Sequence, residues 1–290
     1  MTSLRQCVII VIQDKNKSWS VMKKIVLFDM DGTLTPPRGS LDTLLLTPLK
    51  VVANHAEIGV VTGSDIDYMR EQIKFLLDNS YLRYKLHLLP CNGTKHYPPP
   101  SYRHESHSLG SEVAFKQHIG KNNFNRIMKI LVDYQNYICG HFEIPLSGHF
   151  ISYRGSMINW CPIGRSANTE ERNSFIAFDN NYPSGHFRRI LLDQLTQEFN
   201  NIGLNIKVKL GGETSFDIYP SGWDKTYALK HFKGYRAWFL GDRCYEGGND
   251  EEIYKLLLPD SYSVESTKET AEILQKIIIP ELSKRECNER

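Results

Sequence analysis

Apolar residues in this chain come in short, dense runs, each broken off by polar residues and a tight turn. Ile25-Val26-Leu27-Phe28 runs into Asp29-Met30-Asp31-Gly32, Ile58-Gly59-Val60-Val61 into Thr62-Gly63-Ser64-Asp65, and Ala237-Trp238-Phe239-Leu240 into Gly241-Asp242. Apolar runs of four without alternation predict strands of a parallel sheet covered on both faces. Between the first two, Thr47-Pro48 predicts an N-cap and first helical position, opening a helix to about His55. After the second, Ser64 predicts a cap with Asp67 in capping-box register, and Ile66, Met69, Ile73, Leu76 and Leu77 keep helical spacing. Strand and helix alternating in this way predict an α/β fold with a doubly wound parallel sheet.

From Tyr97 the pattern changes. Pro98-Pro99-Pro100 and a His- and Ser-rich stretch to Gly110 read as a linker or irregular crossover. Helices are predicted at about 111–119, 124–138 and 184–201, and strands at 149–153, 157–161, 204–210 and 214–219. Strands clustered with helices indicate an α+β insertion. The predicted organisation is a core of 22–104 plus 223–290, interrupted by a cap of 105–222. Residues 1–21 read as an N-terminal extension, disordered or an extra edge strand, because Met22-Lys23-Lys24 resembles an ordinary protein start. The apolar stretch at 7–12 meets Gln13-Asp14-Lys15 too early for a signal peptide.

Composition narrows the class. A hydrophobic content of 41% supports a full core, and 35 basic against 33 acidic residues leave a net charge of +2. No global field selects nucleic acid or a membrane surface, so neither is expected as a partner. No run has the length of a transmembrane helix. The six cysteines, at positions 7, 91, 139, 161, 244 and 287, contain no C-x-x-C pair. A disulfide framework or zinc site is not expected, and a cytoplasmic location fits.

The strand ends carry the chemistry. In an open α/β sheet ligands gather at the carboxyl edge, where Asp29 and Asp31 would stand. The turn after the strand breaks the alternation of side chains, so the two carboxylates can differ in role: Asp29 as nucleophile on phosphorus, Asp31 as proton donor and acceptor. A solvated Asp-x-Asp-Gly turn or a fragment of a calcium loop is the plainer alternative for these residues. With the strand before it and Thr33-Leu34-Thr35 after it, the segment closely resembles the nucleophile motif of the haloacid dehalogenase superfamily. Asp242 would join Asp29 at the same edge, and converging carboxylates call for a hard cation, Mg²⁺, with Asp29 and Asp242 as side-chain ligands and Asp31 ligating through its backbone carbonyl. Thr62, Gly63 and Ser64 offer hydroxyls and N–H groups to a phosphate at a helix start, although capping alone explains Ser64. Lys225 is the expected cation beside the transferring phosphoryl group. Asn249 or Asp250 is expected to orient it or to cap a helix.

Further blocks are more specific. Phe150-Ile151-Ser152-Tyr153-Arg154, Met157-Ile158-Asn159, Pro162-Ile163-Gly164-Arg165-Ser166, Glu170-Glu171-Arg172 and the run from Gly211 through Ser215-Phe216-Asp217 to Gly222-Trp223-Asp224-Lys225 resemble the cap of eukaryotic-type phosphomannomutases. The similarity covers essentially residues 22–275. It implies a capped Rossmann-like haloacid dehalogenase fold and an isomerase interconverting mannose 6-phosphate and mannose 1-phosphate for GDP-mannose synthesis. It also implies Mg²⁺, a hexose 1,6-bisphosphate activator, and a homodimer formed through the cap. It places the second phosphate on Arg154, Arg165 and Arg172, with Arg38 reaching in from the core, and sugar hydroxyls or that phosphate on Ser215 and Asp217. Asn159 stays open between a pocket residue and a strand-end hydrogen bond. The chain departs from the family pattern at Thr62, at Ser152, Gly155 and Ser156, at Arg243 and Cys244, and at Leu256, where a second cation loop would need an Asp. Two rival functions follow from other readings: a sugar-phosphate phosphatase on the same scaffold, suggested by Thr62 and the altered cap residues, and a catalytically idle binding protein, which the presence of Asp29, Asp31, Lys225 and Asp242 opposes.

Overall fold

The computed structural model describes residues 22–284 except 38, 80, 103, 104 and 184. The N-terminal extension and Arg38 therefore lie outside the described residues.

Eleven strands are described: β1 Lys23–Phe28, β2 Glu57–Val61, β3 Leu86–Leu89, β4 Lys95–His96, β5 Ser111–Glu112, β6 Ile151–Tyr153, β7 Ile158–Trp160, β8 Ile206–Gly211, β9 Ser215–Pro220, β10 Tyr235–Gly241 and β11 Ser261–Ser263. Five of them form a parallel sheet in the order β11-β10-β1-β2-β3. The apolar runs are explained by burial on both faces: Val26, Phe28, Trp238 and Leu240 join one hydrophobic cluster, while Ile25, Leu27 and Phe239 join another. The order turns around at β1, and Phe28 pairs with both Leu240 and Val60. The tips of β10, β1 and β2 thus stand side by side at the switch point, where open α/β sheets hold ligands.

A second, antiparallel sheet runs β6-β7-β9-β8. Trp160 and Phe216 stack across it with ring centroids 5.0 Å apart, and they anchor a cluster with Phe175, Phe199 and Leu131 from helices Thr169–Asn180, Phe187–Asn201 and Lys121–His141. No described helix is long and apolar enough to cross a membrane.

Several local expectations need correction. The first helix, α1, spans Leu46–Ala53 behind a short turn of 3₁₀ helix; Asp42, not Thr47, caps that turn by accepting from the Leu44 N–H at 3.0 Å. Pro48 sits in the first turn of α1, where its missing N–H has no helical partner to lose. The second helix, α2, spans Ile66–Gln72, and its cap is Asp65, which accepts from the Tyr68 N–H at 3.0 Å. Ser64 is thereby left to face the site. Residues 111 and 112 pair with β4 as β5, so the helix expected from 111 begins only at Phe115. Strands β3 and β11 and the helix Thr169–Asn180 were not anticipated. The last is closed by a reciprocal capping box between Asn168 and Glu171.

Candidate active site

A cleft of about 910 Å³ opens between the tips of the parallel sheet and the antiparallel sheet. Asp29, Asp31, Thr62, Gly63, Ser64 and Asp242 line one wall. Arg154, Arg165, Arg172, Ser215 and Asp217 line the other, together with Asn159. Residues far apart in sequence, which the motifs assigned to one site, therefore do share one cavity.

On the sheet side, Asp29 follows β1 directly and is 4% exposed. The chain then folds into a turn in which Leu34 and Thr35 donate to the Met30 carbonyl and Gly32 donates to Thr35. Gly32 has φ +86°, and a Cβ there would lie 2.5 Å from Asp242 Oδ2. Only glycine lets the turn pass this close to the neighbouring strand tip. The turn sends Asp31 away from Asp29, and its Oδ1 accepts a hydrogen bond from the Tyr68 hydroxyl at 3.1 Å.

Asp29, Asp242 and Asp250 each offer a carboxylate oxygen within 4.8 Å of the others. Two of these residues were expected together, and Asp250 is the third. Lys225 ties the group from behind: its Nζ bonds to Asp29 and, at 2.5 Å, to Asp250 Oδ1. Asp250 Oδ2 accepts from the Arg243 N–H at 3.0 Å. Lys225 is 1% exposed and does not line the open cleft, so it reaches the reacting centre through Asp29. Burial alone would lower its pKa, but Asp250 and Asp29 hold it raised and charged. Burial pushes the Asp29 carboxyl well above its ordinary range, against the pull of Lys225, and the nearby Asp250 and Asp242 push it further. Asp242 is raised for the same first reason, burial, and by Asp250.

These carboxylates fit a hard divalent cation. Asp242 Oδ1 is buried without a hydrogen-bond partner, and Lys225 with Arg243, 3.6 Å from Asp242, leaves three carboxylates short of one positive charge. A magnesium-sized ion between Asp29 and Asp242 would satisfy the orphaned oxygen and offset the burial, and the smaller mutual repulsion, that raise both groups.

The cap side is cationic. Arg154 donates to the Gly63 carbonyl at 2.7 Å and lies 3.8 Å from Asp217. Arg165 donates to Asn159 Oδ1 at 3.0 Å, and Arg172 to Thr214 Oγ1 at 2.9 Å. Burial, with Arg154 beside it, lowers the pKa of Arg165. Asn159 answers the question its sequence context left open. It is 2% exposed, and its amide donates to Asp217 Oδ1 at 2.8 Å and to Ser215 Oγ at 3.1 Å while its oxygen holds Arg165. The Ser215 hydroxyl in turn donates to the Gly211 carbonyl at 2.6 Å. On the loop from β2, Thr62 Oγ1 accepts from the Ser64 N–H at 3.2 Å. Sequence reasoning missed Tyr68, Thr214 and the full role of Asp250; of these only Asp250, in Gly-Gly-Asn-Asp after a strand tip, carried a signal.

A parallel sheet presenting two carboxylates after its central strand, a third on the next strand tip and a buried lysine, all under an inserted cap, defines a capped haloacid dehalogenase-type enzyme acting on phosphate groups. The fold agrees with solved structures of that type. Plasmodium falciparum IMP-nucleotidase matches with a TM-score of 0.60 at 13% identity, over 88% of this chain and 68% of that one. The C-terminal domain of Candida albicans trehalose-6-phosphate phosphatase matches at 0.52 and 15%, over 87% and 91%. Family is decided by sequence: the model of the eukaryotic phosphomannomutase family matches residues 45–280. The phosphomannomutase of Schizosaccharomyces pombe is 36% identical over 259 residues, covering 88% of this chain and 94% of that protein. That of Saccharomyces cerevisiae is 34% identical over 261 residues, covering 87% and 93%. The chain belongs to the eukaryotic phosphomannomutase family and is an enzyme of that kind.

Proposed function

We propose that this enzyme interconverts mannose 6-phosphate and mannose 1-phosphate through a hexose bisphosphate, and thereby supplies GDP-mannose synthesis. The observation that carries the reading is the opposition of Asp29 and three arginines across one cleft. A substrate with one phosphate needs only one such wall, whereas a bisphosphate needs both.

In this reading a hexose 1,6-bisphosphate activator first phosphorylates Asp29. The sugar monophosphate then binds with its phosphate on Arg154, Arg165 and Arg172. Its free hydroxyl attacks the phosphorus of the aspartyl-phosphate as Asp31 accepts the hydroxyl proton, and the bond to the Asp29 oxygen breaks. The bisphosphate turns end for end, and Asp29 attacks its other phosphoryl group while Asp31 returns the proton to the leaving sugar oxygen. Lys225, held by Asp250, balances charge on Asp29 throughout. Thr62 and Ser64 offer hydroxyls and Gly63 its N–H to the transferring phosphate; the Thr62 and Ser64 N–H groups are already donated, to the Leu89 carbonyl and to Thr62 Oγ1. Mg²⁺ held by Asp29, Asp242 and the Asp31 carbonyl would supply charge neutralisation at that phosphate. The arginine wall must also close the cleft, since water reaching the aspartyl-phosphate would make the enzyme a phosphatase. Family membership supports the mutase over the sugar-phosphate phosphatase.

The same reading includes a cytoplasmic homodimer joined through the cap. Purified protein with Mg²⁺, mannose 1-phosphate and a trace of glucose 1,6-bisphosphate, followed by ³¹P NMR, tests the activity. A mannose 6-phosphate signal without inorganic phosphate is expected; inorganic phosphate alone would overturn the mutase.

A further inference from the structure

Asp31 has to exchange a proton with the sugar oxygen, so one of its carboxylate oxygens must face the sugar in a fixed direction. The backbone alone does not impose this. Asp31 lies in the turn beyond β1 and is partly exposed, without the packing that surrounds Asp29. A contact suited to orient it comes from the next strand–helix unit. Tyr68 is the third residue of α2, and its N–H is fixed by the Asp65 cap. From that position its side chain lines the cleft, and its hydroxyl donates to Asp31 Oδ1 at 3.1 Å.

We propose that Tyr68 is the positioning residue of the acid/base. Its hydroxyl occupies Asp31 Oδ1 and turns Oδ2 toward the oxygen that gains or loses the proton. A phenol suits this role. It donates in its neutral form, and its rigid ring fixes the direction of the bond without adding charge to a wall already dense in carboxylates. A lysine in its place would bring a cation to the carboxylate wall, and a phenylalanine would fill the same space with no donor. The inference rests on the reading of Asp31 as acid/base, and the test separates the two.

The test is a double-mutant cycle on the full chain with Mg²⁺, using Tyr68→Phe, Asp31→Asn and the two combined. Steady-state turnover of mannose 1-phosphate and the melting temperature are measured for each. Tyr68→Phe removes one oxygen and keeps the ring, so the melting temperature should stay close to that of the parent. Expected is a fall in kcat of roughly tenfold with KM within about twofold, the pattern of an interaction that acts in the transition state. In the Asp31→Asn background the same substitution should change kcat by less than about twofold, because the group it orients is gone. A rise in KM with kcat intact, or an equal loss in both backgrounds, would overturn the role of Tyr68 and leave that of Asp31 standing. Wild-type turnover by Asp31→Asn would overturn the acid/base reading, and the positioning role with it.

Discussion

The two walls of the cleft solve opposite electrostatic problems in opposite ways. The sheet side concentrates carboxylates and binds them to charge: Lys225 touches both Asp29 and Asp250, and Arg243 lies 3.6 Å from Asp242. The cap side concentrates guanidinium groups and anchors each to a neutral oxygen, on Gly63, Asn159 or Thr214. Two of them also pair with carboxylates, Arg154 with Asp217 and Arg172 with Glu213, each at 3.8 Å. A hydrogen bond to a neutral acceptor fixes an arginine without cancelling its charge, which suits a wall proposed to receive a phosphate dianion. In the proposed function the sheet wall reacts and the cap wall holds.

That contrast can be broken from either side. The largest effect belongs to the reacting wall: Asp29→Asn should lower kcat at least about 10³-fold and abolish a phosphoenzyme labelled from ³²P-bisphosphate, because the proposed nucleophile is lost. Persistence of the label would remove Asp29 as nucleophile. On the holding wall, Arg165→Ala or Arg172→Ala should act chiefly on KM, raising it roughly 10- to 100-fold in initial-rate assays. A pure kcat effect there would erase the distinction between the walls. Asn159→Ala should be milder for activity, about tenfold in kcat/KM, and should cost about 2 kcal/mol of stability by denaturant titration, since it strips partners from Arg165 and Asp217 together.

The smallest effect concerns the seam where the chain leaves the core and returns. His87 joins Glu57 at 2.9 Å and His96 at 2.8 Å, and His231 bonds to the Gly93 carbonyl at 2.8 Å. Burial, with His231 and His87 nearby, lowers His96 from 6.5 to about 3. The unfolded chain therefore binds this proton first as pH falls. The contribution of His96 is full above its ordinary value and is lost between there and about 3. Melting temperatures measured from pH 7 to 4.5 should decline, and less steeply in His96→Gln; parallel curves would remove His96 as a source of the decline.

How much of this was legible depended on how local the physics is. Four-residue apolar runs marked β1, β2 and β10, and a doubly buried strand needs nothing more to announce itself. The same rule reached Asp29, Asp242, Thr62 and Gly63, because chemistry at a strand tip is fixed by the strand. Caps were harder. Ser64 and Asp65 are both able caps, and only the turn geometry selects Asp65. The Asn168–Glu171 capping box was visible but was absorbed into an arginine motif, so the helix it opens went unread. Tyr68 and Thr214 were illegible for a different reason. Each reaches the site through a long-range contact, to Asp31 and to Arg172, and no spacing in the chain encodes which residue stands opposite.

The bond from Arg154 to the Gly63 carbonyl has a consequence for the order of events. Gly63 belongs to the loop that opens α2, and Arg154 also lies 4.0 Å from Asp65, the cap of that helix. The same helix carries Tyr68 to Asp31. The cap side thus grips the segment that carries the proposed positioning residue, and a cap that lifted would lose that grip. On the proposed roles of Asp31 and Tyr68, enclosing the sugar and aligning the proton-transfer group would then be one event, and the enzyme would be reactive only when shut.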